Sequence, residues 1–195
     1  MTVGRQGTGL EAFERLATSH RGSLLFAGWG LAEAVLFPIV PDVGLYPAVA
    51  AVPRAAARLF LAVLGGAIAG SALLFALTIG ASDLAQALVL AVPGVDRAVL
   101  DQASRAVADG QPASMALVGP GTPLKVFTLA WALGPGEPTG WLAGVVINRL
   151  TRIGPGVVVA IVLGLVAPRW VRRHARALLI AYTIGWVALY AVLLS

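Results

Sequence analysis

The chain has 195 residues, 58% of them hydrophobic and only 12% charged, with a formal net charge of +5. A soluble domain carries roughly 25% charged residues, so the composition argues against one and leaves room for a single compact membrane domain. The basic residues gather at the ends of apolar segments, which suits anionic headgroups and topology setting rather than nucleic acid, and the lack of cysteine excludes disulfides and thiol chemistry.

Residues 1–22 lack an apolar core and a cleavage site, so no signal peptide is expected. Within them, Leu10, Phe13, Leu16 and Ala17 share a helical face that Glu11, Glu14 and Arg15 avoid. The spacing predicts a short interfacial helix over 10–20. Residues 23–51 are apolar but broken by Gly28, Gly30, Pro38, Pro41, Gly44 and Pro47. Proline removes a backbone donor, and broken backbone is tolerated at membrane depth only where protein or water surrounds it. A re-entrant helical hairpin with its tip near Pro38-Ile39-Val40-Pro41 is the economical reading.

Residues 59–80 form an uncharged, proline-free run long enough to span the bilayer. Gly66 and Gly70 give it a face for close helix approach. The linker 81–111 carries Asp83, Asp96, Arg97, Asp101, Arg105 and Asp109, with Val95, Val99 and Ala103 at near-helical spacing. It predicts an amphipathic helix at the aqueous edge. Residues 112–136 repeat the broken apolar pattern around Gly119, Pro120, Gly121 and Pro123, so a second hairpin tip is expected there. A span over 141–167, interrupted at Gly154-Pro155-Gly156, a basic loop over 168–176 and a last span over 177–194 complete the chain.

The two halves, 23–80 and 112–167, resemble each other. Pro38 and Pro41 lie 82 positions before Pro120 and Pro123, and the same offset carries Leu59 onto Trp141. Placing 168–176 in the cytoplasm leaves nine basic residues inside and two outside, which agrees with hairpins inserted from opposite faces. The expected fold is an all-α polytopic integral membrane protein. Its domain 23–167 is an inverted repeat with two re-entrant hairpins, and 168–195 adds a basic loop and a last helix, for about three full spans. A repeat with broken segments in matching positions points to a binding site between the halves.

Five ionisable residues, Glu33, Asp42, Lys125, Arg149 and Arg152, fall inside stretches apolar enough for a bilayer. Each charge at a helix centre costs roughly 2.5–3.5 kcal/mol on insertion scales, so such groups tend to face one another, a polar cavity or a substrate. Arg149 and Arg152 are spaced i, i+3 on one helix face, and their planar forks suit a phosphate. Lys125 adds a point charge beside the second proline turn. Together the three bases and two acids sum to +1, which favours a monoanionic headgroup. Separate structural readings stay open for each: interfacial snorkelling for the bases, a fixed bridge for Glu33, and a turn cap for Asp42. No metal site, cofactor or catalytic residue is expected. No His-Glu-x-x-His is present, and the Gly-Pro-Gly-Thr-Pro-Leu-Lys run lacks the ending of a phosphate loop.

These residues resemble a family. Glu33 with Pro38-Ile39-Val40-Pro41-Asp42, then Gly119-Pro120-Gly121-Thr122-Pro123-Leu124-Lys125-Val126-Phe127-Thr128, then Asn148-Arg149-Leu150-Thr151-Arg152, is similar to the DedA superfamily, also described by its VTT or SNARE-associated domain. The second motif resembles most the small YqaA-like branch. Over roughly 26–166 the resemblance implies two opposed re-entrant hairpins and movement of phospholipids or polyprenyl-phosphate carriers between leaflets, for some members with proton coupling. By position, Glu33 and Asp42 match the membrane-embedded acids, and Arg149 and Arg152 the basic pair. The arginine that usually precedes the second proline motif is absent, since Met115, Ala116, Leu117 and Val118 stand there. Asn148 replaces a glycine, and Ala130-Trp131-Ala132 replaces an Ala-Gly.

The expected function is transport or scrambling of an anionic lipid, a glycerophospholipid or a polyprenyl phosphate, with or without proton coupling. It would act in a bacterial plasma membrane, with the N-terminus cytoplasmic, the C-terminus outside and membrane lipids as its partners. A non-transporting scaffold or assembly factor, and a membrane enzyme acting on a lipid phosphate, remain as alternatives.

Overall fold

The computed structural model describes residues 9–36, 39–108, 111–117 and 122–193, and every regular element among them is helical. Helix α1 (Gly9–Thr18) is amphipathic, as expected, but ends two residues early. The Ser19 hydroxyl accepts from the Gly22 amide at 3.0 Å and so caps a new helix, α2 (His20–Val35). A serine in this position satisfies one of the four donors that every helix start leaves free. Arg58 holds α1 from the other side, donating to the carbonyls of Thr18 (2.7 Å) and Ala17 (2.5 Å) at its C-terminus. A cation on last-turn carbonyls is favoured by both the hydrogen bonds and the helix dipole. Hydrogen bonds to charged groups contribute about 1.5–3 kcal/mol each. Arg58→Ala should therefore raise amide exchange throughout α1 by about tenfold or more and leave the following long helix unchanged, as read by hydrogen-exchange mass spectrometry.

After the break around Pro41 come α3 (Asp42–Ala51), a 3-10 turn (Pro53–Ala55) and the long α4 (Ala56–Gly80). The linker is two helices rather than one: α5 (Ser82–Leu90) and α6 (Arg97–Val107). Asp96 separates them by capping α6, its Oδ1 accepting from the Val99 amide at 2.8 Å. Their apolar residues Val89, Leu100 and Ala103 are buried in the core, so the linker packs as well as edges the domain. A single turn, α7 (Ser114–Leu117), precedes α8 (Leu124–Leu133).

Helix α9 (Pro138–Val166) runs unbroken through Gly154-Pro155-Gly156, where an interruption was expected. Pro155 is exposed, and the helix continues on both sides of it. One lost hydrogen bond in a helix of 29 residues is outweighed when its other face is packed, and helices in lipid tolerate proline on these terms. The expected basic loop over 168–176 is likewise helical, forming the first turns of α10 (Pro168–Leu193). Proline suits the first helical position, because its missing donor would be unpaired there anyway, and arginine is a good helix former.

Two segments are long and apolar enough to cross a membrane, Pro53–Gly80 and Pro138–Val166. Large apolar side chains stay exposed along them and along α10, including Leu61, Ile79, Val159, Val166 and Ile184.

The offset read from the prolines extends to whole elements. Helices α3 and α8 have ten residues each and begin 82 positions apart, and so do the starts of α4 and α9. Pro41 and Pro123 each sit immediately before their short helix. The packing is crosswise: α3 of the first half lies on α9 of the second, and α8 of the second lies on α4 of the first. Two apolar clusters result. One gathers Phe26, Leu45, Leu59, Val63, Ile153 and Val157, and the other Leu74, Val89, Leu100, Phe127, Trp131 and Val145. Along α9, Val145 belongs to one cluster and Ile153 to the other. Arg149 falls between them.

Candidate functional site

Arg149 and Glu33 meet in this gap. The Arg149 Nη2 donates to Glu33 Oε2, and both side chains are almost fully enclosed, at 3% and 5% exposure. Glu33 comes from the end of α2 and Arg149 from the middle of α9, so the pair joins the two halves of the chain. Lys125, near the start of α8, is buried too and lies within electrostatic reach of both Glu33 and Arg149. Burying charges is costly unless each finds a partner with good geometry. Here a carboxylate, a guanidinium and an ammonium share one enclosure.

Asp42 opens α3 and lies at the half-buried rim. Its Oδ2 accepts from the Tyr46 hydroxyl at 3.2 Å, and that hydroxyl is also 3.4 Å from the Ile153 carbonyl of α9. Asp42 feels the charges of Arg149, Glu33 and Arg152. Arg152, also half-buried, donates from Nη1 to the Thr122 carbonyl at 2.7 Å, just ahead of α8. All five ionisable residues picked from the sequence therefore belong to one constellation.

The arginines do not act as one fork, despite their i, i+3 spacing. Arg149 reaches across to α2, whereas Arg152 reaches to the segment before α8. The constellation thus has a sealed part (Glu33, Lys125 and Arg149) and a rim (Asp42 and Arg152). The Glu33 carboxylate occupies Arg149 Nη2 and the Thr122 carbonyl occupies Arg152 Nη1, so the two guanidiniums present their donors to different partners.

Further polar groups surround the pair. Asn148 donates to the Met115 carbonyl at 2.7 Å and ties α7 to α9. Arg149 Nε, Asn148 Oδ1 and Thr128 Oγ1 are buried with no hydrogen-bond partner among the described residues, which leaves donor and acceptor capacity around the constellation. Sequence reading missed Tyr46, and quoted Thr122 only as part of a motif. For Tyr46 a signal existed: it stands four residues after Asp42, the spacing of neighbours on a helix. Of the expected hairpin tips, Pro41 and Pro123 directly precede α3 and α8, while Pro38 and Pro120 lie outside the described residues. The first break is fastened by Trp29, whose Nε1 donates to the Ile39 carbonyl at 2.9 Å.

Among the described residues, no group of three or more His, Cys, Asp or Glu could hold a metal ion. Comparison with known protein families, with curated proteins and with solved structures gives no match to this chain.

Proposed function

We infer that the chain is a polytopic membrane protein that moves an anionic lipid, a glycerophospholipid or a polyprenyl phosphate, between the leaflets of a bacterial plasma membrane. The observation that carries this reading is the enclosed Glu33–Arg149 pair with Lys125 beside it. An excess of base over acid, held between two apolar clusters, is costly as mere scaffolding and suits a substrate that brings its own negative charge. The exposed apolar residues along α4, α9 and α10 would face acyl chains, since a soluble monomer rarely leaves so much apolar surface open.

In this reading α3 and α8 are the inner arms of two re-entrant hairpins in an inverted repeat. Their equal length, common offset and crosswise packing support that symmetry. The N-terminus is cytoplasmic, α10 supplies the third span, and the C-terminus lies outside. A headgroup phosphate would meet Arg152 and Asp42 first, at the rim. It would then displace Glu33 from Arg149 while the lipid tails remained in the bilayer. Alternation of Arg149 between Glu33 and phosphate keeps the guanidinium paired at every stage, and with Lys125 beside the pair the enclosed charge of one carboxylate and two bases is neutralised when a monoanionic phosphodiester joins it.

Arg152 gives the cleaner test, because removing Arg149 also leaves Glu33 buried and unpaired. Reconstituted protein should accelerate exchange of labelled phosphatidylglycerol across liposome membranes. Loss of a charge-assisted contact in Arg152→Gln should slow it by roughly tenfold or more, with unchanged unfolding in detergent. An unaltered rate in a folded Arg152→Gln variant would overturn the exchange mechanism. Equal rates for phosphatidylglycerol and phosphatidylcholine would reduce the protein to an unselective scramblase, and no acceleration at all would favour a scaffold. An imposed pH gradient in the same liposomes tests proton coupling.

A further inference from the structure

The Gly154-Pro155-Gly156 turn of α9 forms a seat for a side chain of α3. A Cβ at Gly156 would fall on the tip of the Tyr46 ring, whereas one at Gly154 would meet nothing within 4 Å. Glycine at 156 therefore lets the ring tip lie against the α9 backbone. The hydroxyl at that tip is 3.2 Å from Asp42 Oδ2 and 3.4 Å from the Ile153 carbonyl. Both distances exceed the usual O–H···O range of about 2.5–3.0 Å, so the hydroxyl stands between two acceptors. It has one hydrogen and can donate to only one of them at a time. Pro155 adds to the importance of the choice. It has no amide to offer the Thr151 carbonyl, so this turn of α9 lacks one helical bond, and a bond from Tyr46 to Ile153 fastens the turn from outside.

The position of that hydrogen depends on Asp42. An ionised carboxylate is an acceptor only and draws the Tyr46 hydrogen to itself. A protonated carboxyl can donate to the Tyr46 oxygen, and the Tyr46 hydrogen then turns to Ile153. A carbonyl has two lone pairs, so Ile153 can accept the hydroxyl alongside its helical donor. We propose that Tyr46 is a positioning residue that works as a proton-dependent latch, fastening α3 to α9 when Asp42 carries a proton and releasing α9 when Asp42 is ionised. The charges that act on Asp42 are Arg149 and Arg152 of α9 and Glu33 of α2; no described charge of α1, α4, the 3-10 turn or α10, which also pack on α3, joins them. Arg152 immediately precedes Ile153, so the latch transmits the state of one rim group to the helical turn that carries the other. During lipid movement, protonation of Asp42 would hold the α3 arm on α9 and loss of the proton would free it. That use of the latch rests on the transport reading above; the latch itself rests on Asp42, Tyr46 and Ile153.

Nuclear magnetic resonance of the detergent-purified protein, isotope-labelled at tyrosine Cζ and isoleucine carbonyl carbons, reads the latch without transport. The chain has three tyrosines, Tyr46, Tyr182 and Tyr190, and Tyr46→Phe identifies the first resonance by its loss. As pH rises from about 4 to 9, below tyrosine's own pKa of about 10, the Tyr46 and Ile153 resonances should move together in one step. Asp42→Asn should abolish the step at both. Tyr46→Phe, whose ring still fills the seat, should abolish it at Ile153. Gly156→Ala pushes the ring from its seat and should abolish the Ile153 step, whereas Gly154→Ala should keep it. A Tyr46 resonance that stays still, a step that survives Asp42→Asn, or an Ile153 step that survives Tyr46→Phe would overturn the proposal. Should Asp42→Asn fail to fold, the two glycine variants decide, and equal Ile153 steps in both would overturn it. Absence of lipid exchange in liposomes with both steps intact would reject the transport reading and leave the latch standing.

Discussion

Glu33→Ala should destabilise the folded protein by about 3–5 kcal/mol, the usual cost of removing one partner from a buried ion pair. The Arg149 guanidinium is 97% enclosed with Glu33 as its acceptor, and Lys125 lies within reach of the same carboxylate. Without Glu33 two buried cations face each other, with the nearest remaining acid, Asp42, at the rim. Removing both members of the pair is a different experiment. Glu33→Ala/Arg149→Met leaves no unpaired guanidinium, and an apolar side chain of similar length fits between clusters that are already apolar. Replacing buried pairs in this way is often nearly neutral, so the double variant should be more stable than Glu33→Ala by about 2 kcal/mol or more, a coupling within the range seen for contacting residues. Unfolding in mixed micelles, followed by tryptophan fluorescence, measures all of the required variants. Simple additivity of the two single substitutions would mean that the pair contributes nothing as a pair, and the argument from charge burial would fail with it.

Some of this arrangement is legible in the sequence. Proline restricts the residue before it and removes a donor, and the two prolines three residues apart at 38 and 41 and at 120 and 123 marked breaks, with α3 and α8 starting directly after Pro41 and Pro123. The cost of isolated charge in an apolar setting likewise required the five ionisable residues to find company. It did not say which would pair. Three bases and two acids allow several matchings, and the choice of Glu33 for Arg149, 116 positions away, is set by the crossing of α2, α4 and α9. Arg152 took a backbone carbonyl, an acceptor that any segment offers and that no residue type advertises. Two of the expectations that failed concern local signals overruled by context. Gly154-Pro155-Gly156 has the composition of a break, yet Ile153 and Val157 on either side are buried and hold the helix through it. The arginines of 168–176 give that segment the charge of a loop, although nothing in arginine opposes a helix.

Gly66→Val should separate two helices that now touch backbone to backbone, whereas Gly65→Ala, one residue away, should be tolerated. A Cβ at Gly66 would fall on the carbonyl of Ala27, and one at Gly70 on that of Leu31, while a Cβ at Gly30 of α2 would meet the Val63 carbonyl of α4. The contact is therefore made by glycine from both sides, which realises the close approach that the Gly66-x-x-x-Gly70 spacing allows. Gly65 faces outward and has nothing within 4 Å of its Cβ position. Overpacking costs typically about 1–3 kcal/mol and occasionally more; here the obstacle is backbone, which has no alternative rotamer, so the upper end is expected. Gly65→Ala instead gains about 0.8–1.0 kcal/mol of helix propensity in a water-based scale, so it should be neutral or mildly stabilising. The consequence reaches the charged site. Glu33 rides on α2, three residues beyond Gly30, and moving α2 off α4 withdraws its carboxylate from Arg149. Gly66→Val should therefore lose stability together with the proposed lipid transport, and Gly65→Ala should keep both. If Gly66→Val unfolds in micelles at the same denaturant concentration as the unaltered protein, then α2 and α4 do not cross through these glycines and the seating of Glu33 against Arg149 is wrong.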